Sequence, residues 1–415
     1  MTTIKTSRGD EEMSDETISA VKDYLGAGRE DLISFLRQLI AIPSPTGSEG
    51  EVARRVAEEM KRLGYDEVFF DRIGNVVGRI GHGPIKVLFD AHMDTVGADQ
   101  AGWTVDPFEG RIDGDTLFGL GSCDDKGSLS GMVYGAAALK ASGFTGDRAT
   151  IYVVGAVGEE SCEGLGVGHL ITREGVRPDF VVIGEASNLG VRRGHRGRAL
   201  LSVTYRGTPC HASVPHLGDN PLEKIVPLLS GVKPLNQRFL DDPFLGRGSA
   251  VVTSVTVNSA SLNSIPAAAT VFIDRRMTVG ETREGILEEI RSVLGGQEAT
   301  VEVVKVEQPS YTGYPRSGEE FFPPWSLPED HPLVRAGMRA ARAVLGREPD
   351  LGRWDFSTDG TFTAGAAGIP TIGFGPGDGR WAHAPNEQVP VSQVIAAAAF
   401  YALVPWALAE SDRQA

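Results

Sequence analysis

Apolar residues recur along this chain in two rhythms, and the alternation between them sets its organisation. From Asp15 to about Ile42 they fall three or four apart (Ile18, Val21, Leu25; then Leu32, Phe35, Leu36, Leu39). That is the spacing of one helix face, and Gly26–Gly28 breaks the run into two helices. Residues 1–13 are polar and are expected to fray. The stretch Ile42–Gly47 (IPSPTG) is a turn, because proline and glycine end a helix. Ser48–Gly64 is helical again. Short apolar runs then predict strands at Glu67–Asp71, Ile73–Arg79, Ile85–Ala91, Ile151–Val157 and Phe180–Ile183. Between them lie helices over Gly127–Ala141, whose Gly, Ala and Ser residues suit close packing against a sheet, and near Leu165–Ile171. Strands alternating with helices predict an α/β domain with a mostly parallel, helix-flanked sheet.

The pattern changes near Gly197. Strands over Ala199–Tyr205, Ala250–Asn258 and Thr270–Arg276, with helices over Pro221–Phe239 and Glu284–Leu294, make a compact α+β insert of residues 197–305. Tyr311–Asp330 is rich in proline and aromatic residues and reads as a connector. The helix Pro332–Leu345, the strand Thr371–Phe374 and the helix Val391–Leu408 resume the α/β style, so the first domain spans residues 1–196 and 306–415.

Composition narrows the partners. A length of 415 residues exceeds one comfortable core. Hydrophobic content of 41% and charged content of 23% are those of a globular chain rather than a disordered one. A net charge of −15 argues against nucleic acid and against an anionic membrane surface. No stretch is expected to span a membrane, and the amino-terminal residues lack an apolar signal core, which favours the cytoplasm. Cys123, Cys162 and Cys210 are too few for a disulfide framework.

The chemistry centres on Ala149–Gly166 (ATIYVVGAVGEESCEGLG), where an apolar strand ends in two adjacent carboxylates, Glu159 and Glu160. Ligands in α/β sheets collect at the carboxyl ends of strands. Two carboxylates emerging there are tolerable together if a cation lies close or if one keeps a proton. A solvated loop with two surface acids is the plain alternative. Other strand ends carry the same chemistry: His92, with Asp94 two residues on; Asp124, in the acidic pair before Lys126; and Glu185. His383 lies in a Gly/Pro-rich loop after another apolar strand. Singly, His92 reads as well as a core histidine, Asp124 as a helix cap and Glu185 as a loop acid. Together they read as oxygen and nitrogen ligands without thiolate, a set that suits Zn²⁺, Co²⁺ or Mn²⁺. The Asp94 carboxylate is placed to accept the second ring N–H of a metal-bound His92.

The segments FDAHMDTV, GSCDDKGS, GEESCEG, IGEAS, GTPCHASVPHLGDNP, IDRRMT, STDGTFTAGAAGIPTIGFGPG and HAPNEQV resemble those of the metal-dependent amidohydrolases. That family includes glutamate carboxypeptidase, acetylornithine deacetylase, succinyl-diaminopimelate desuccinylase and the aminoacylases. The resemblance runs from about Glu30 to about Leu408. It implies a dinuclear centre of two divalent ions, foremost Zn²⁺, with Asp124 bridging, His92 and Glu185 completing one site, and Glu160 and His383 the other. It also implies a metal-bridged hydroxide with Glu159 as its general base, and Asp94 orienting His92. The insert resembles the family's ferredoxin-like lid and dimerisation domain. By the same resemblance His211 reaches the partner's active site in a homodimer, and Asn263 and Arg276 contact substrate; the alternative for Arg276 is an ion pair with Asp274. The implied reaction is hydrolysis of an amide in an N-acyl amino acid or short peptide. IDRRMTVGET, PPWSLPEDHP and GEESCEGL are most similar to a deacetylase-like branch linked to selenium metabolism. Leu120, where arginine is common, and Cys210, where a small residue precedes the lid histidine, depart from the family pattern. Two other readings are a cysteine hydrolase built on Cys123 or Cys162, and a catalytically silent metal- or peptide-binding relative.

Overall fold

A computed structural model describes residues 13–98, 102–144 and 146–412. The expected fraying of residues 1–13 lies, but for Met13, outside the described residues. Met13 is buried in the main core.

The apolar run expected at Ile151–Val157 forms the strand Ala149–Ala156, and Ile85–Ala91 forms Ile85–His92. Both are buried along nearly their whole length and lie parallel at the centre of a nine-stranded sheet. Its order is Glu67–Phe70, Val76–Gly81, Ala149–Ala156, Ile85–His92, Phe180–Ile183, Thr371–Gly373, Val191–His195 and Trp325–Ser326, with Leu351–Trp354 also paired to Val191–His195.

This sheet is mixed rather than mostly parallel. Parallel ladders join Ile85–His92 to both its neighbours, Phe180–Ile183 to Thr371–Gly373, and Leu351–Trp354 to Val191–His195. The other pairs run antiparallel. Connection length explains this: only residues 82–84 separate Val76–Gly81 from Ile85–His92, too few for the crossover that a parallel return needs. The expected strand Ile73–Arg79 accordingly starts later, at Val76. Residues 71–75 instead make the turn, with Asp71 Oδ1 accepting the Gly74 and Asn75 N–H groups.

The helices expected at either end are present as Asp15–Ala27, Arg29–Ile40, Gly50–Arg62, Lys126–Ala141, Pro332–Leu345 and Val391–Asp412. The last contains an apolar stretch, Val391–Ala409, with mean hydropathy 1.7, long enough to cross a membrane by length and composition. That corrects the expectation that no such stretch exists. The stretch is mostly buried within the fold, which accounts for its being apolar all round. Helix Lys126–Ala141 turns Gly131 and Gly135 to this helix. A Cβ on Gly135 would strike the Ala398 carbonyl, and one on Gly131 would crowd Tyr401.

A second, antiparallel sheet is ordered Ser249–Asn258, Ala268–Met277, Gly197–Arg206, Thr300–Val303. Helices Val226–Leu235 and Arg283–Arg291 complete a β-α-β-β-α-β succession with its own apolar core. The expected helix Pro221–Phe239 is broken into Pro221–Lys224, Val226–Leu235 and a 3₁₀ turn. Beyond residue 305 the chain forms a separate hairpin, Lys305–Glu307 with Ser317–Glu319, and then returns to the second sheet at Phe321–Phe322, which pairs with Gly197–Arg206.

Candidate metal centre

The side chains singled out as ligands leave strand ends of the first sheet, the start of a helix and one loop. His92 ends its strand, Glu159 and Glu160 open a 3₁₀ turn three residues after Ala156, and Glu185 follows Ile183 by two. Asp124 lies just before helix Lys126–Ala141, and His383 comes from the loop after Thr371–Gly373, with φ of 56°. Few side chains favour that left-handed conformation, so the surrounding loop holds His383 where it is.

These ends converge. Asp124 is flanked on both oxygens, by His92 Nε2 at 2.8 Å from Oδ1 and by His383 Nε2 at 3.2 Å from Oδ2. His383 Nε2 is also 2.8 Å from Glu160 Oε2, and His92 Nε2 is 3.7 Å from Glu185 Oε1. Ligand atoms of His92, Asp124 and Glu160 lie within 4.8 Å of one another, as do those of His92, Asp125 and Glu185. The Asp94 carbonyl oxygen, 2.9 Å from His92 Nδ1, can only accept, so Nδ1 carries the ring proton and Nε2 faces the carboxylates.

The Asp94 carboxylate has another task than the one expected of it. It stands 3.7 Å from His92 Nδ1 and accepts instead from the N–H groups of Glu159 (3.1 Å) and Glu160 (3.2 Å) and from Thr46 Oγ1 (2.6 Å). Asp94 therefore orients the imidazole through its backbone and the carboxylate pair through its side chain.

The electrostatics are those of a site built around positive charge. Burial pushes the Glu159 carboxyl well above its usual range, with His92 opposing, and burial does the same to Glu185. Glu160 is raised by burial against a lowering bond from His383, and its Oε1 is buried without a hydrogen-bond partner among the described residues. Hydrogen bonds to Asp124 and Glu160 lift the His383 imidazole to about 10. Four acids crowding two imidazoles, with an unpartnered buried oxygen among them, fit a cation held by nitrogen and oxygen.

A pH dependence follows. In the metal-free protein His383 holds a proton up to about pH 10 that the unfolded chain releases near 6.5, and burial keeps Asp125 and Glu387 protonated to about 8. In each case the folded state binds more protons. Stability from these groups is full in acid and is lost as pH rises through the folded-state values. Cations held at the cluster would compete with the protons bound there. The drop in melting temperature on chelation is expected to be several degrees larger at pH 8.5 than at pH 6, read by calorimetry; a constant or shrinking gap would count against the cluster.

A cavity of about 380 Å³ opens beside the cluster, lined by Asp124, Glu159, Glu160, Glu185 and His383 together with strand residues of the second sheet. The sequence pattern of Peptidase family M20/M25/M40 matches residues 88–406, a span that includes all five ligand candidates and Glu159. The chain belongs to this family. The uncharacterized protein YgeY of Escherichia coli K12 is 41% identical over 94% of the M20 chain and 96% of its own length. Succinyl-diaminopimelate desuccinylase of Gluconacetobacter diazotrophicus is 28% identical over 89% and 95%. The di-peptidase Dug1p of Saccharomyces cerevisiae has the same fold, with a TM-score of 0.72 at 17% identity, over 96% of the M20 chain and 99% of its own.

Of the residues expected to meet substrate, Arg276 lines the cavity, and it also makes the alternative ion pair, 2.8 Å to Asp274. His211 and Asn263 do not line it. They are exposed and adjacent in the second sheet's loops, with Ala212 N–H donating to the Asn263 carbonyl and His211 Nδ1 bonded to Ser213. Sequence reading passed over Glu163, Arg198, Phe356 and Ser357, which also line the cavity. It missed Glu387 too, whose buried carboxylate accepts the N–H groups of Gly121, Cys123 and Asp124 and so fixes the Asp124 turn. Ser357 and Glu387 stand in motifs that drew notice (STDG, HAPNEQV), but nothing in spacing marks them as site residues. Burial drives the Cys123 thiol far above its ordinary range and Cys162 up to about 12, and Cys123 Sγ donates to the Asp378 carbonyl. Neither is an activated nucleophile.

Proposed function

We propose that the protein is a dinuclear metallohydrolase cleaving the amide of an N-acyl amino acid or the peptide bond of a short peptide. The observation that carries this is the flanking of both Asp124 oxygens by His92 and His383, with Glu160 and Glu185 beside them and Glu159 facing the same cavity. Asp124 would bridge the two sites, with His92 and Glu185 in one and Glu160 and His383 in the other. Two divalent ions there, foremost Zn²⁺, with Co²⁺ or Mn²⁺ serving as well, would polarise the scissile carbonyl and acidify water.

The chain's own residues supply the rest. Glu159 takes a proton from the attacking water and returns it to the leaving amine, and its burial suits a base that must also act as acid. Arg276, neighbour of Arg198 across the strand pair, anchors a substrate carboxylate. Cys123 and Cys162 take no part, and the three free cysteines fit a cytoplasmic, reducing setting.

The second sheet acts as lid and dimer surface in this reading. Ser249–Asn258 is an edge strand with Val251, Val255 and Val257 exposed, and the adjoining helices expose Leu222, Val226 and Leu229. An unpaired apolar edge is a template for a second copy. Dimerisation there would bring His211 of one protomer to the other's cavity as oxyanion donor. His211→Ala is expected to lower kcat about 10²–10³-fold without loss of metal. Co-expressing His211→Ala with Glu159→Gln should restore part of the activity, since one mixed site then holds both groups. A silent His211→Ala would remove the lid from the mechanism.

The reading itself is tested by assaying the protein, with Zn²⁺, Co²⁺ or Mn²⁺, against N-acyl amino acids and dipeptides, before and after chelation. Metal-dependent release of an amine supports it. Metal binding with no turnover across the panel would favour the silent metal-binding relative.

A further inference from the structure

The segment that returns from the second sheet to the first reaches behind the carboxylate pair. Lys305–Glu307 and Ser317–Glu319 form an antiparallel hairpin. The loop between them is pinned to the first domain, Tyr311 OH donating to the Gly74 carbonyl and Thr312 Oγ1 to that of Arg72. At its end stands Arg316, only 3% exposed. Burying a guanidinium is costly unless it is well paired, yet its Nε and Nη1 make no hydrogen bond among the described residues. Its Nη2 donates to Ser161 Oγ at 2.7 Å, and Ser161 Oγ donates to the Gly158 carbonyl at 3.2 Å. Gly158 has φ of 73°, and a Cβ there would fall on the Arg316 guanidinium. The wholly buried carboxylate of Glu49 lies within its electrostatic reach.

The same turn, Gly158–Ser161, is the one whose N–H groups Asp94 holds. The two holds are joined: Thr46 Oγ1 donates to Asp94, Gln308 Nε2 donates to the Thr46 carbonyl at 3.1 Å, and Gln308 N–H donates to the Arg316 carbonyl at 3.1 Å. A closed ring of hydrogen bonds thus surrounds the turn, half of it supplied by the returning segment.

We propose that Arg316 is a positioning residue for hydrolysis, bracing the Gly158–Ser161 turn so that Glu159 faces the substrate's water and Glu160 faces the ions. This rests on the reading above. Displacing a catalytic group by about 1 Å costs on the order of 10²-fold in rate, and losing a support behind a metal ligand costs about 10–100-fold in affinity.

The test titrates metal-free wild type, Arg316→Met, Arg316→Lys and Ser161→Ala with Co²⁺, followed by visible absorption, and measures kcat and KM on the dipeptide or N-acyl amino acid that wild type cleaves fastest. Arg316→Met is expected to weaken one Co²⁺ step about tenfold, leave the other unchanged, and lower kcat about 10–100-fold with KM within about twofold. Arg316→Lys should recover part of this. Ser161→Ala should lower kcat in the same way and add nothing to Arg316→Met. Wild-type kcat and Co²⁺ binding in Arg316→Met would overturn the proposal, as would additive effects or losses in which KM, kcat and both Co²⁺ steps decline together. If Arg316→Met does not fold, Ser161→Ala decides alone, and its silence overturns the proposal. A wild type that cleaves nothing defeats the hydrolase reading, while the Co²⁺ titration still decides the bracing.

Discussion

Glu159→Gln is expected to retain its metal and lose about 10²–10⁴-fold in kcat, the range that removal of a general base commonly costs. The side chain is 7% exposed and sits in the turn whose N–H groups bond Asp94, so an isosteric amide leaves the backbone undisturbed. What it cannot do is accept a proton from water and pass it to the leaving amine. Glu159 is also not among the atoms around Asp124, so ion content should match wild type by plasma mass spectrometry while steady-state kcat collapses. Near-wild rates in this variant would remove Glu159 from the mechanism.

Asp124→Ala is expected to have the broadest effect. Both its oxygens face an imidazole nitrogen, so in the proposed dinuclear centre deleting them would take a ligand from each site at once, whereas losing Glu185 or His383 would take a ligand from one. Burial opposes a charge at Asp124, but the bonds from His383 and His92 outweigh it and hold its carboxyl below the usual range, so the variant gives up those contacts while relieving the repulsion on Glu185. It should bind neither ion at micromolar metal and show no turnover above the metal-free background. Asp124→Asn, which keeps the volume and one oxygen, should fail nearly as badly, because the amide carries no charge to balance two cations.

The sequence made the centre of the fold legible where burial is two-sided. Ile85–His92 and Ala149–Ala156 are apolar, β-branched runs because both their faces are covered, and the residues following such runs are where an α/β sheet puts chemistry. The family suggested by the motifs is the one the chain belongs to. Three of the sheet's nine strands, Val191–His195, Trp325–Ser326 and Leu351–Trp354, were not legible. Val191–His195 contains two arginines, and Trp325–Ser326 has only two residues, so neither shows a period; they are strands because neighbours already in place offer unpaired backbone. The last helix was misjudged as too short an apolar stretch, although its apolar character comes from burial on every side.

At the site, ligands that end strands could be found because their position follows from the strand. Residues acting through a distant contact could not. Arg316 and Glu387 act on the centre from 155 and 263 residues away in the chain, while Arg198 reaches the cavity from the second sheet, and nothing local distinguishes them from surface charge. Asp94 shows the finer limit: spacing placed it beside His92, but only the three-dimensional turn gives its carboxylate to Glu159 and Glu160 and its carbonyl to the imidazole.

The most direct measurement is the number of ions bound per chain, by equilibrium dialysis of metal-free protein against Zn²⁺ and mass spectrometry of the retained metal. Wild type should hold two, Glu185→Ala and His383→Ala one each, and Asp124→Ala none. A wild type that holds none, or an Asp124→Ala variant that still holds two, would contradict the convergence of His92, Asp124, Glu160, Glu185 and His383 on a pair of ions.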